Sequence, residues 1–252
     1  RRIGCSVSGI AQFITTRGIH ELKEWLEAGY DTIQDWDKQY SDWFAVPKSI
    51  KTTSVKPSGT VSLLAGATPG LHYPESRFYI RRVRLSKHSE LIEPMKKAGY
   101  KIEPAYGSED TTSVVEVPVD VGEGIRTAGE LSIWEQFNIA AFMQRHWADN
   151  QVSCTVTFNP ETEGEQIPHV LNYFQYHLKG ISLLPRHDYG AYPQMPYEAI
   201  DEKEYNKQIK NLGKLSFGVI KNEEAEIDKF CNNDSCEVPS FTGDNDDQEY
   251  AN

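Results

Sequence analysis

A polar turn within residues 51–70 carries the side chains best suited to holding a phosphate. It contains, in succession, Lys56, Pro57, Ser58, Gly59 and Thr60. An ammonium, two hydroxyls and backbone amides that a glycine leaves accessible are the donors that satisfy phosphate oxygens. A solvated Pro-Ser-Gly turn without any ligand has the same composition, so both interpretations stand at this point.

Two cysteines near the end of the chain form a second group with chemical potential. Cys231 and Cys236 are separated by four polar residues, within a segment, 221–252, that has ten carboxylates and two lysines. This composition is typical of a mobile tail, in which two thiols can close and reopen a disulfide with little strain. A metal pair would need further Cys or His ligands at suitable spacing, and none accompanies it. We favour a mobile dithiol carrier over two incidental cysteines.

Composition and charge bound the class of protein. The chain has 252 residues, of which 38% are hydrophobic and 25% charged, as in ordinary globular proteins. Without a run of eighteen apolar residues, no membrane partner is expected. The net charge of -11 argues against nucleic-acid binding, although the acidic tail holds most of the excess. The other cysteines, Cys5 and Cys154, are isolated, so we expect a reducing cytoplasm and no disulfide scaffold.

Helices and strands alternate along the chain. Apolar spacing predicts a helix over 1–19 closed by Gly18, and a second over 19–44 with a break near Gly29. Further helices are expected at 89–98, 131–147, 166–179 and 197–211, and strands at 78–85, 111–121, 151–158 and 180–185, the last buried. Pro118 suggests a strand edge or end. The alternation from 51 to 185 is typical of α/β architecture with parallel pairing.

Three sets of side chains admit a structural interpretation beside a functional one. Four arginines in and beside the strand at 78–85 could form a basic wall for an anion or a set of structural ion pairs. The aromatic residues of 19–44 are expected to pack in a core or interface rather than around a ligand. Cys154, in an apolar slot of an alternating strand, is expected to be a core residue, and so is Cys5.

Four stretches of this sequence resemble a known family, the ribonucleotide reductases, and most closely the monomeric adenosylcobalamin-dependent class that reduces ribonucleoside triphosphates. They are RRIG at 1–4, opening the first helix, VKPSGTVSLLAG at 55–66 with TPG at 68–70, DNQVSCTVT at 149–157, and PQMPYEAI at 193–200, followed by the cysteine pair. Each stretch is a weak signal alone. Their order over nearly the whole chain is specific.

The resemblance implies a fold and its division. The fold would be the C-terminal part of a ten-stranded α/β barrel with a flexible tail. Residues 1–185 would belong to the barrel, 186–220 would form a loop and helix extension where cobalamin contacts are to be sought, and 221–252 would be the acidic tail with the redox dithiol. No cobalamin-binding residue is assigned by the resemblance.

The resemblance to the ribonucleotide reductases also implies an activity. Residues 56–60 would bind the phosphates of a ribonucleoside triphosphate. Its reduction to a deoxyribonucleotide would proceed through a thiyl radical that adenosylcobalamin initiates. Cys231 and Cys236 would reduce the active-site disulfide and be recharged by thioredoxin. The loop that carries the family's radical cysteine is absent from this sequence, and the chain begins without Met. We therefore expect a C-terminal third that needs the upstream remainder of its polypeptide and is inactive alone.

Two alternatives remain. The first, from the same superfamily, is the large subunit of an oxygen-dependent ribonucleotide reductase. That class relays its radical through adjacent tyrosines, and this chain has Leu183 and Leu184 at those positions. A noncatalytic nucleotide-binding or redox-carrier module, using the 56–60 turn or the dithiol alone, is the alternative from another class.

Overall fold

The computed structural model describes residues 2–58, 62, 65–186 and 193–216. Its helices are α1 (Ile10–Trp43), α2 (Ile92–Lys97), α3 (Ile133–His146), α4 (Pro160–Glu163), α5 (Ile167–Phe174) and α6 (Glu202–Asn211). Its strands are β1 (Cys5–Ser6), β2 (Thr53–Ser54), β3 (Phe78–Ser86), β4 (Lys101–Pro104), β5 (Thr112–Asp120), β6 (Thr155–Phe158), β7 (Ser182–Pro185) and β8 (Tyr197–Ala199). None of the helices in these ranges is long and apolar enough to cross a membrane.

Four short parallel strands follow one another across the molecule. β1 pairs with β2, and β6 pairs with β7, both in parallel. A parallel bridge between Val55 and Val152 joins the two pairs, and the Ser153 amide donates to the Val55 carbonyl at 2.9 Å. All four strands therefore run in one direction, and their carboxyl ends point to the same side. The predicted α/β architecture with parallel pairing is confirmed for this layer, which we call the parallel strip.

A second sheet is antiparallel, contrary to the expectation of parallel pairing throughout residues 51–185. Its order is β4-β5-β3-β8, and β3 and β5 pair along their full length, from Phe78 opposite Asp120 to Ser86 opposite Thr112. Pro118 lies in β5 beyond the four residues that pair with β4, so its missing N–H leaves no hydrogen bond unmade on that side. The prediction of a local strand edge at Pro118 is confirmed.

The core lies between α3, α5 and the parallel strip. Phe137 and Met143 of α3, Val156 of β6 and Val170 of α5 are almost completely buried. Cys154 belongs to the same cluster, and burial raises the pKa of its thiol to about 12. The interpretation of Cys154 as a small core residue is confirmed, because a thiol with so high a pKa is a poor nucleophile.

The beginning of the chain differs from its prediction. Residues 3–6 are extended rather than helical, because the amides of Ile3 and Cys5 donate to the carbonyls of Lys51 and Thr52 at 2.9 and 2.8 Å. Cys5 is consequently exposed, so its assignment to a core was wrong. The expected break at Gly18 is present as a non-helical φ of 84° inside α1. No break occurs at Gly29, which lies against the Trp147 ring within a continuous helical segment.

Three other predictions need correction. Residues 197–199 form β8 on the edge of β3, so the last helix begins only at Glu202, with Asp201 as its N-cap. β7 is half-exposed rather than buried, since in the described residues it pairs with β6 alone. The aromatic side chains of α1 are mostly at the surface rather than in a core: Trp25 is 65% and Trp43 64% exposed, and the burial of this helix rests on Leu22 and Leu26. The other packing expected for them, in an interface, stays a prediction.

Candidate functional site

The 56–60 turn directly follows β2 at the carboxyl end of the strip. Lys56 is exposed, whereas Pro57 and Ser58 are half-buried. Ser58 has a φ of 51°, a left-handed conformation that turns the chain sharply. Gly59 and Thr60 lie outside the described residues. The structure thus places three of the five predicted phosphate-binding residues together, on the side where ligands of parallel sheets bind.

Residues around the start of α1 hold this turn, and sequence reasoning missed them. The hydroxyl of Ser6 accepts a hydrogen bond from the Lys56 amide at 2.9 Å, and that of Ser8 accepts one from the Gly70 amide at 3.3 Å. The Gln12 side chain makes two hydrogen bonds to the far side of the loop. Its oxygen accepts from the Thr68 amide and its nitrogen donates to the Gly66 carbonyl, both at 2.8 Å. The loop from 56 to 70 is therefore fixed at both ends by the strand and helix that precede it.

Gly70 closes the loop onto its own beginning. Its φ of 52° is left-handed, and a β-carbon there would lie 2.5 Å from the Lys56 carbonyl oxygen. Only glycine fits such an approach between two backbone segments. The glycine that ends the predicted motif thus positions the lysine that begins it.

His72 connects the loop to the neighbouring strand. Its Nε2 atom accepts a hydrogen bond from the Thr155 amide at 3.2 Å, which requires a neutral ring. Burial lowers the pKa of His72, and a hydrogen bond to the Pro69 carbonyl opposes that shift only in part. The imidazole therefore serves as an uncharged link between the loop and β6.

Asp149 supports the strand that leads into the turn. Its carboxylate accepts from the Tyr30 hydroxyl at 2.9 Å and from the amide and hydroxyl of Thr52, each at 3.0 Å. Burial would raise the pKa of Asp149, but these hydrogen bonds together lower it, so the group is ionised. Its carbonyl also accepts from the ammoniums of Lys51 and Lys179. In the sequence, the only sign that Asp149 matters is its position in DNQVSCTVT at 149–157, one of the stretches that resemble the ribonucleotide reductases.

The arginines of β3 are structural where their contacts are defined. Arg82 forms ion pairs with Glu116 at 2.9 Å and with Glu198. Adjacent Arg81 points to the opposite face, where its guanidinium lies 4.6 Å from the centroid of the Tyr197 ring. The arginines therefore do not share one face, and the ion-pair interpretation describes Arg82 better than a basic wall does.

The remaining predicted groups are not placed by the structure. Cys231 and Cys236 lie outside the described residues, so the dithiol stays a prediction. Within the ranges that are described, no cluster of three or more His, Cys, Asp or Glu side chains could hold a metal ion.

Comparison with known proteins shows extensive similarity. A probable adenosylcobalamin-dependent ribonucleoside-triphosphate reductase of Dictyostelium discoideum is 54% identical over 244 residues, which are 95% of this chain and 32% of the relative. The adenosylcobalamin-dependent ribonucleoside-triphosphate reductase of Euglena gracilis is 55% identical over 241 residues, 94% of this chain and 33% of the relative. The enzyme of that name from Levilactobacillus brevis is 37% identical over 242 residues, which cover 84% of this chain and 32% of the relative.

A solved structure agrees with these relatives. The crystal structure of a B-12 dependent (class II) ribonucleotide reductase superposes with a TM-score of 0.73 at 34% identity, over 84% of this chain and 33% of that one. No family model matches the chain. The chain spans about a third of the length of the curated relatives it matches.

Proposed function

Since this chain belongs, over that third of the relatives' length, to the family of adenosylcobalamin-dependent ribonucleoside-triphosphate reductases, we propose that it is the part of such an enzyme that binds the substrate's phosphates. The full protein would reduce ribonucleoside triphosphates to deoxyribonucleotides. The observation that carries this proposal is the anchored 56–70 loop at the carboxyl end of the parallel strip.

The loop has the chemistry that a triphosphate needs. Lys56 supplies an ammonium and Ser58 a hydroxyl, while Gly59 and Thr60 would add unobstructed amides and a second hydroxyl. The start of α1 is hydrogen-bonded to the same loop through Ser8 and Gln12, and the positive end of a helix dipole favours anions there. Because the Lys56 amide is bonded to Ser6 and Gly70 lies against the Lys56 carbonyl, the backbone of Lys56 would not have to be ordered when the substrate binds.

The cofactor and the reductant complete the proposal. Adenosylcobalamin supplies the radical when it is bound, and a cysteine outside this chain would carry it as a thiyl. Cys231 and Cys236 would pass their two thiols' hydrogens and electrons to the active-site disulfide by exchange, closing their own disulfide as the other opens. Thioredoxin would then reduce them.

The organisation of the whole follows from the same proposal. Residues 1–185 would complete a ten-stranded barrel with the upstream remainder of the polypeptide, 186–220 would form an extension of it, and 221–252 would be the reducing tail. The protein would work in the cytoplasm, without nucleic-acid or membrane partners. Alone, this chain would be inactive.

The direct test is cobalamin dependence of ribonucleotide reduction by the full-length protein. We expect deoxyribonucleotide formation from a ribonucleoside triphosphate only when adenosylcobalamin and a dithiol are both present, and slower formation from the diphosphate. Reduction that proceeds without cobalamin but requires oxygen would contradict the proposal. So would a full-length protein that binds triphosphates without reducing them.

A further inference from the structure

Two lysine ammoniums meet at the amino end of the parallel strip, opposite the end that carries the 56–60 turn. Lys51 precedes β2 and Lys179 precedes β7, while Asp149 precedes the bridge that joins the two strand pairs. Both ammoniums donate to the same acceptor, the backbone carbonyl of Asp149. Because a hydrogen bond spans about 3 Å, the two cationic nitrogens lie within roughly 6 Å of each other.

The repulsion between these like charges is only partly offset. Within the described ranges neither ammonium forms an ion pair, since the Asp149 carboxylate accepts from the hydroxyls of Tyr30 and Thr52 instead. Partial desolvation lowers the pKa of Lys179, the Lys51 ammonium lowers it further, and the Asp149 carboxylate opposes the shift only in part. A larger share of Lys179 than of an ordinary lysine is therefore the uncharged, nucleophilic amine.

Other exposed lysines have the opposite surroundings. Lys207 pairs with Glu204 at 3.0 Å, and Lys101 pairs with Glu103 at 2.7 Å. The hydrogen bond from Glu103 is the largest of the effects that raise the pKa of Lys101. Carboxylates thus hold these lysines in the charged form, whereas Lys179 is equally open to solvent but faces a cation.

The product that best relieves the repulsion is an anion on Lys179. Carbon dioxide converts an amine into a carbamate, so the pair would change from two cations to a cation and an anion. The remaining N–H of the carbamate keeps a donor for the Asp149 carbonyl, and its carboxylate would face the Lys51 ammonium. A simple acyl group would leave a neutral amide with no charge to oppose that of Lys51.

We propose that Lys179 is a site of reversible carbamate formation with carbon dioxide, and that the Lys51 ammonium is the counter-ion of the carbamate. The lone pair of the neutral amine forms a bond to the carbon atom, and one carbon–oxygen π pair moves onto oxygen. The nitrogen then loses one proton to water, so no oxidant or reductant takes part. The new ion pair ties the segment entering β7 to the segment entering β2, and dissolved carbon dioxide thereby stabilises the parallel strip. This modification is independent of the proposed function.

The test exposes the full-length protein to isotopically labelled carbon dioxide at about pH 8, where more amine is uncharged. Alkylation with triethyloxonium ion converts each carbamate into a stable ethyl ester, which peptide mass spectrometry assigns to its lysine. We expect the label at Lys179 to exceed that at Lys207, the lysine paired with Glu204, at least about threefold. No label at Lys179, or label spread evenly over the exposed lysines, would overturn the inference.

Two substitutions of Lys51 isolate the effect of its charge. Lys51→Gln removes both the repelling cation and the counter-ion, so the label at Lys179 should fall at least about threefold. Lys51→Arg keeps a cation that can donate to the Asp149 carbonyl, and the label should persist. Equal labelling of Lys179 in the wild type and in Lys51→Gln would contradict the assignment. If Lys51→Gln fails to fold, the comparison of Lys179 with Lys207 in the wild type decides alone.

Thermal unfolding gives a second readout that requires no chemical trapping. At constant pH, carbon dioxide should raise the unfolding temperature of the wild type more than that of Lys179→Arg, which forms no carbamate at this position. Equal shifts in the two proteins would mean that a carbamate on Lys179 does not stabilise the strip. Neither this measurement nor the labelling involves nucleotide reduction, so failure of the inference leaves the proposed function untouched.

Discussion

The backbone of Gly70 lies against the carbonyl of Lys56, so that the two turns bounding the 56–70 loop touch. A β-carbon at residue 70 would be 2.5 Å from that oxygen. The loop is thus closed by an approach between backbones, and the strand that enters it and the chain that leaves it move together.

Replacing Gly70 by Ala should therefore open the loop. The alanine must separate residues 56 and 70 and also adopt a left-handed φ, so we expect the free energy of unfolding to fall by about 2 kcal/mol. In the full-length enzyme, the KM for the triphosphate should rise about tenfold or more because Lys56 is displaced. Thermal unfolding and steady-state kinetics measure the two effects.

Gly66→Ala is the matched control for this variant. Gly66 has a similarly left-handed φ of 66°, but a β-carbon there would meet no atom within 4 Å. We expect a cost of about 1 kcal/mol from backbone strain alone and little change in KM. Equal effects of the two substitutions would show that the contact with Lys56 is unimportant.

Removing the hydroxyls of the turn should weaken substrate binding specifically. Ser58→Ala combined with Thr60→Ala removes two donors proposed for phosphate oxygens, so the KM for the triphosphate should rise about tenfold or more. Stability should change little, because Ser58 is only half-buried. The control is Thr32→Ala, which removes an exposed hydroxyl on α1 that, within the described part of the chain, bonds only to the Ala28 carbonyl. An unchanged KM in the double variant would refute the phosphate-binding assignment.

Cys231 and Cys236 should be needed for turnover with thioredoxin but not for turnover with a small dithiol. In the full-length enzyme, Cys231→Ser with Cys236→Ser should abolish turnover supported by thioredoxin, since a folded protein cannot reach a buried disulfide. A small dithiol reaches that disulfide directly, so its activity should persist. Assays with the two reductants side by side measure this difference. Equal loss with both would rule out the carrier role.

The neutral state of His72 predicts a pH dependence of stability. Burial lowers its pKa in the folded chain, so below the ordinary histidine pKa of about 6.5 the unfolded chain binds a proton that the folded chain does not. The free energy of unfolding should thus fall as the pH drops from about 6.5 towards the folded pKa, by up to about 1.4 kcal/mol per pH unit. Denaturant titrations between pH 5 and 8 measure it.

His72→Gln isolates this contribution from the other titrating groups. Glutamine can still accept from the Thr155 amide through its side-chain oxygen, but it binds no proton. The variant should consequently lose stability less steeply than the wild type over the same pH range. Parallel curves for the two proteins would mean that His72 is not the group responsible.

The sequence predicts features whose physical cause is local. The helix expected at 131–147 is present as α3, whose start is set locally by Ser132 and Glu135, which cap each other within four residues of sequence. Cys154 lies in a clear alternation of apolar residues and is buried as expected. The polar turn at 56–60 could be proposed from the sequence because its side chains are adjacent in the chain, and its binding of phosphate stays a prediction.

Features set by distant partners could not be predicted in this way. β1 is a strand because residues 51–54 lie beside it, and β8 is a strand because β3, more than a hundred residues earlier, offers its edge. Gln12 belongs to the site only because the chain returns 54 residues later to place Gly66 beside it. No local pattern in the sequence contains these pairings.

The parallel strip also has a consequence for how the chain acquires its structure. The Asn150 side chain donates to the Ile3 carbonyl across 147 residues of sequence, and the Trp147 indole donates to the Ser54 carbonyl across 93. Contacts that close such long loops form late and make folding slow. During synthesis, the paired strands β1 and β2 must therefore wait for these partners until more than ninety residues beyond β2 have been made, and for that interval this part of the chain is open to binding by chaperones.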